Sequence, residues 1–197
     1  MKKFILSYCW VALAFLGGCK PDDPQAENIP ELITKVVLRF TPTNGSAKIV
    51  TASDPDGEGV LDMVVDGPIE LTTATTYTLE LELVNELYSS AETGYRVSDQ
   101  IKAEADEHQF FFSWSGDAFA TPTGNGNIDN RSDPVNYLDK DDHNLPLGLV
   151  TSWTTSGSVT SKDFRILLKH QPGVKSGTST AHEGESDLDI TFTLDVN

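Results

Sequence analysis

Cysteine is almost missing from this chain. The two it has, Cys9 and Cys19, both stand in the first 20 residues. The rest of the chain therefore has no internal disulfide, no thiolate metal site and no cysteine nucleophile. Basic residues are scarce as well: 14 Lys and Arg stand against 30 Asp and Glu, a formal net charge of −16. Such a field repels a phosphate backbone, which excludes nucleic acid as a natural partner. The chain has no Gly-x-Ser-x-Gly elbow, phosphate-binding glycine loop, coiled-coil heptad or internal repeat. Tryptophan is limited to three, and Trp10 lies in the first apolar segment. Trp114 and Trp153 both fall in strand-like segments, where core packing is the expected role and a sugar-stacking platform the weaker one. A carboxylate pair for glycoside hydrolysis would need two singled-out acids, and no two stand out among so many.

What is present begins at the N-terminus. Met1-Lys2-Lys3 precedes an apolar stretch, residues 4–15, which ends in Leu16-Gly17-Gly18-Cys19. Basic, then apolar, then small residues is the order of a secretory signal. The apolar stretch is shorter than the about 20 residues of a spanning helix. Leu-Gly-Gly-Cys resembles the lipobox of bacterial lipoproteins. That resemblance implies lipidation of Cys19, which becomes the first residue of the mature chain and takes the membrane as partner. Each buried CH₂ adds about 0.8 kcal/mol, so several acyl chains anchor a protein stably. Lys20-Pro21-Asp22-Asp23 resembles the surface-export signal of Bacteroidota lipoproteins, with Lys20, Asp22 and Asp23 as its elements. The expected organisation is a signal at 1–18, a flexible tether at 19–30 and one domain at 31–197.

That domain reads as strands. Tyr77, Leu79, Leu81 and Leu83 alternate with Thr78, Glu80 and Glu82, the pattern of a half-buried strand. Leu188, Ile190, Phe192 and Leu194 alternate with Asp189, Thr191 and Thr193. Phe110, Phe112 and Trp114 share one face of 109–115, with Phe111 opposite. Further strands are expected at 32–40, 46–53, 60–66, 149–155 and 163–170. A short helix is expected at 99–107, with Ser98 as N-cap and Lys102–Asp106 as an i,i+4 pair. About eight short strands separated by Gly, Pro, Asp and Asn turns, with no βαβ alternation, predict an all-β fold, a single β-sandwich with Ig-like topology as one option.

Two metal readings are open. Residues 115–148 form a long acidic loop, and such loops are usually functional or disordered. Within it Asp139, Asp141, Asp142 and Asn144 supply the oxygen donors that Ca²⁺ requires, although Val150 stands where a calcium loop places its Glu. The alternative is an Asx-turn surface loop. The second reading concerns histidines, four in all. His170 ends one expected strand and His182-Glu183 precedes the next, so a hairpin would bring His170, His182 and Glu183 together as transition-metal ligands. The turn Asp54-Pro55-Asp56-Gly57-Glu58-Gly59 carries three alternate carboxylates but reads first as a hairpin turn.

The lipobox, Glu104-Ala105-Asp106-Glu107-His108-Gln109-Phe110-Phe111-Phe112, Tyr137-Leu138-Asp139-Lys140-Asp141 and Lys169-His170-Gln171-Pro172-Gly173 together resemble small flavobacterial outer-membrane lipoproteins. Some of these carry the label of a type 1 periplasmic binding fold. The chain departs from that label: it is too short for two α/β lobes, and its periodicity is that of strands. The resemblance implies a lipid-anchored, cell-surface-exposed outer-membrane protein. The functional expectation is a non-enzymatic binding or accessory module. The alternatives are a metal-acquisition lipoprotein partnering a TonB-dependent outer-membrane receptor and, more weakly, a carbohydrate-binding module or hydrolase.

Overall fold

The computed structural model describes residues 31–54, 56–57 and 61–197. Among the described residues the fold is an all-β sandwich with one short helix, as the periodicity predicts. In chain order the elements are β1 Lys35–Pro42, β2 Lys48–Ser53, β3 Val64–Val65, β4 Ile69–Leu71, β5 Thr76–Val84, α1 Val97–Ala103, β6 His108–Trp114, β7 Phe119–Thr121, β8 Val150–Thr155, β9 Val159–His170 and β10 Glu185–Val196. One sheet has the order β3-β2-β1-β5-β8-β7, the other β4-β10-β9-β6. Two short strands, β4 and β7, have no counterpart in the sequence reading. Three residues each are too few to show a period of two.

Alternation places the core. Val36, Leu38 and Phe40 of β1 and Leu79, Leu81 and Leu83 of β5 face Phe110, Phe112, Phe164, Ile166 and Phe192 of the second sheet. At its centre Trp153 is fully buried. Its ring centroid lies 4.8 Å from that of Phe119, 5.1 Å from that of Phe164 and 5.2 Å from that of Trp114. Burial of one such ring contributes about 1.5–3 kcal/mol, and tilted or edge-on contacts add to it. Trp114 is likewise buried, so neither tryptophan forms a sugar platform. Phe111 points to the opposite face, as expected, yet is fully buried there with Ile128, Leu167 and Ala181.

That outer cover comes from two segments, Ala181 from the one between β9 and β10 and Ile128 from the one between β7 and β8, the latter laced to the edge of β6. Asn127 Oδ1 accepts the Phe112 amide at 3.0 Å, and Tyr137 Oη donates to the Phe110 carbonyl at 2.6 Å. Gly126 pairs with Ser113 as an isolated bridge. Its φ is +93°, and a Cβ there would lie 2.1 Å from the Phe112 carbonyl oxygen, so only glycine fits. α1 begins two residues before its expected start. Its N-cap is Arg96 without a side-chain cap, while Ser98 Oγ accepts the Leu83 amide at 2.6 Å and ties the helix to β5.

Candidate metal centre

Strand register builds the site. His108 opens β6 and continues the inward stripe of Phe110, Phe112 and Trp114. His170 closes β9 and continues Phe164, Ile166 and Leu168. The two strands pair antiparallel with His108 opposite His170, so both imidazoles cap the same end of the core. Their rings stack 4.5 Å apart at 5°. On β10 the register shifts between Ser186 and Leu188. Asp187 is the extra residue there, and a bulge re-aims a side chain that regular pairing would send elsewhere. Glu31 arrives from the lead-in to β1, on the other sheet. One ligand atom from each of Glu31, His108, His170 and Asp187 lies within 4.8 Å of all the others. The side chains of His108 and Asp187 are wholly buried, and those of Glu31 and His170 are 9% exposed.

Outer partners orient the rings. His108 Nδ1 lies 3.0 Å from the Glu104 carbonyl oxygen. A carbonyl only accepts, so Nδ1 carries the proton and Nε2 faces the carboxylates. His170 Nε2 lies 3.2 Å from Glu107 Oε2, which leaves its buried Nδ1 free. A carbonyl or carboxylate on the far nitrogen is the usual backing of a metal-ligating histidine. His108 Nε2 is 3.0 Å from Glu31 Oε1 and 3.6 Å from Asp187 Oδ2. Both are ion-pair distances, but neither contact has hydrogen-bond alignment. Glu31 Oε2, His108 Nε2, His170 Nδ1 and both Asp187 carboxylate oxygens are buried without a hydrogen-bond partner. Buried polar atoms normally have partners, and these five, of nine such side-chain atoms among the described residues, converge on one place.

Charge points the same way. Burial alone would lower the His108 pKa, but Asp187 and Glu31 outweigh it and push the ring up to about 10. Burial would raise Glu31, but contact with His108 brings it down to about 2. Asp187 is held above the usual carboxylate range, chiefly by burial and against the pull of His108. In the protein alone, a proton on His108 offsets one of two carboxylate charges. A dication offsets both and can take one donor atom from each of the four residues. Ligands on a tetrahedral Zn²⁺ at about 2.0–2.1 Å stand about 3.3–3.4 Å apart, between the two distances found around His108 Nε2. Two imidazoles with two carboxylates suit Zn²⁺ and its neighbours, whereas Ca²⁺ takes six to eight oxygens.

The residues singled out in sequence fall otherwise. Cys19, Lys20, Asp22 and Asp23 lie outside the described residues. His170 does join a ligand group, but with His108, Glu31 and Asp187. His182 is exposed, and its amide donates to Thr180 Oγ1, while Glu183 Oε2 accepts the Thr180 amide at 2.6 Å. The acids proposed for calcium spend their oxygens on the chain itself. Asp139 Oδ1 and Oδ2 accept the amides of Gly148 at 2.8 Å and Val150 at 3.2 Å. Asp141 Oδ1 accepts the amides of His143 and Leu145, and its Oδ2 lies 2.8 Å from Lys175 Nζ. Asp142 is exposed, and Asn144 Oδ1 accepts from Lys140 at 2.9 Å. A cation at this loop would displace Lys175 and open the backbone turns, so the loop is a hydrogen-bonded latch. Asp54 Oδ1 caps the amides of Asp56 and Gly57 as an Asx turn.

No protein-family model, curated protein or solved structure matches the chain.

Proposed function

We propose that this chain is a lipid-anchored cell-envelope protein that binds a divalent transition-metal ion, Zn²⁺ by ligand chemistry, as a non-enzymatic module. One observation carries the metal reading: Glu31, His108, His170 and Asp187 converge, largely buried, with orphaned ligand atoms turned toward one another. The anchor rests on the lipobox-like Leu16-Gly17-Gly18-Cys19, and surface display at the outer membrane on Lys20, Asp22 and Asp23. Four protein donors fill a tetrahedral shell, whereas catalytic zinc keeps a position open for water or substrate. Burial of the same donors favours a retained ion over cargo passed to a receptor.

Calorimetric titration of the purified, metal-stripped full-length chain with Zn²⁺ tests the metal reading. One ion should bind per chain. At 100-fold excess over Kd it should stabilise the fold by about 2.7 kcal/mol, which is about 5–11 °C in Tm for a domain of this size. His108→Ala should abolish the heat, and Ca²⁺ should not replace Zn²⁺. Silence of the unaltered chain toward Zn²⁺ would end this reading. The anchor is tested separately: Cys19→Ala should take up no palmitate analogue and leave the outer-membrane fraction, and equal labelling of variant and parent would remove it.

A further inference from the structure

Three of the four ligands belong to one sheet. His108, His170 and Asp187 stand on β6, β9 and the β10 bulge, fixed by strand pairing. Glu31 does not. It stands four residues before β1, a strand of the opposite sheet, on the segment that leads from residues 1–30 into the sandwich. Between Glu31 and β1 the chain is held by the buried Ile33 and by the Thr34 amide, which donates to the Val84 carbonyl at 3.0 Å.

From this placement we infer that the metal acts as a clasp between the two sheets, and that Glu31 is its movable jaw. Resting on the zinc reading above, the inference adds what binding does: it fastens the lead-in segment across the end of the core. Two features support it. Glu31 is the one ligand outside a β-strand, so strand pairing does not fix its position as it fixes the other three. The deepest ligands, His108 and Asp187, are fully buried, while the Glu31 side chain keeps 9% of its surface exposed, so Glu31 stands at the rim of the centre. Metal loading therefore orders the chain where it leaves the domain, and an unloaded centre releases that stretch.

The test is hydrogen exchange on the full-length chain, metal-stripped and Zn²⁺-loaded, alongside calorimetry. In the unaltered chain, Zn²⁺ should slow exchange of the amides at residues 32–34 by at least about tenfold, as expected where an opening reaction is suppressed. Glu31→Gln keeps the shape of the side chain but weakens it as a ligand. It should bind Zn²⁺ more weakly, by no less than the roughly 10–100-fold lost with an outer-shell partner. It should also lose the protection at 32–34 while keeping protection around His108 and His170. Unchanged affinity in Glu31→Gln overturns the inference, as does binding in the unaltered chain with no slowing at 32–34. Failure of the unaltered chain to bind Zn²⁺ removes the zinc reading itself and is seen directly in the calorimeter.

Discussion

Replacing Lys175 with Met should be among the most damaging single changes outside the aromatic core. The Lys175 side chain is fully buried and that of Asp141 is 1% exposed, with Nζ 2.8 Å from Oδ2. Nζ also donates to the Ala105 carbonyl at 2.6 Å. One side chain thus joins the 171–184 segment, the turn that follows α1 and the latch at 139–145. Asp141 Oδ1 is satisfied by two amides, but Oδ2 depends on Lys175. Without the ammonium a carboxylate stays buried and uncompensated, at a cost of about 3–5 kcal/mol. At about 2–4 °C per kcal/mol, Tm should fall by about 6–20 °C. Pairing Lys175→Met with Asp141→Leu removes both charges and should recover most of the loss, because apolar replacement of a buried pair is often neutral. Thermal unfolding of the full-length chain by circular dichroism reads both. A Lys175→Met variant with unchanged Tm, or a double variant no better than the single, refutes the argument. Acid titration adds a sign. Burial raises the Asp141 pKa, but the Lys175 bond and the Leu145 and His143 amides outweigh it and lower it. Its contribution is therefore complete above the unfolded pKa of about 3.9 and lost as pH falls through the lower folded value. Asp139 runs the other way: burial holds it up despite the amides of Gly148 and Val150, so its contribution grows as pH falls through the raised folded value.

Two other changes probe the lacing of the 115–148 segment. Gly126→Ala should cost well over 1 kcal/mol, from the positive φ and the clash with the Phe112 carbonyl, whereas Gly157→Ala meets nothing within 4 Å and should leave Tm unchanged. Tyr137→Phe removes the donor to Phe110 and the acceptor of the Asn127 amide, a loss of about 1–3 kcal/mol by denaturant unfolding. Equal midpoints for Tyr137→Phe and parent would show that the segment is held by other contacts.

Fold class was legible because half-buried strands write their period into the sequence. Where that period is interrupted, legibility stopped. β4 and β7 are too short to repeat. Phe111 broke the alternation of β6, and the sequence alone does not show that the outer face of that strand is covered by a loop. The 115–148 stretch reads as calcium-like because Asp and Asn also serve Asx turns and backbone caps, and composition does not separate these roles. Half of the candidate site was within reach. His108 and His170 lie in phase with the apolar stripes of their strands, and a polar residue on a core face asks for a partner. Pairing His170 with His182, its neighbour across one loop, favoured sequence proximity over strand parity. Asp187 was hidden by the bulge, since in regular alternation with Leu188 it belongs to the wet face. Glu31 carried no signal, because its role depends on where the lead-in crosses the end of the other sheet.

The two buried acidic places differ in what balances them, and this separates a structural contact from a binding site. At Asp141 the chain brings its own ammonium, and carboxylate, amide and carbonyl close on one another. At Glu31 and Asp187 the chain brings two imidazoles and no ammonium, although both carboxylates are largely buried. A histidine proton compensates one charge there and leaves five buried ligand atoms without a hydrogen bond, whereas at Asp141 only Oδ2 lacks one, and it has the Lys175 ammonium 2.8 Å away. With 14 basic residues against 30 acidic ones, the protein has few cations of its own to spare for its interior. The centre therefore has the charge and the lone pairs of a site completed from solution. A chelator should consequently lower Tm in the zinc-loaded chain, and lower it equally in Lys175→Met and in the parent, because the two buried acidic groups are balanced independently. A chelator effect that vanishes in Lys175→Met would couple them and contradict that separation.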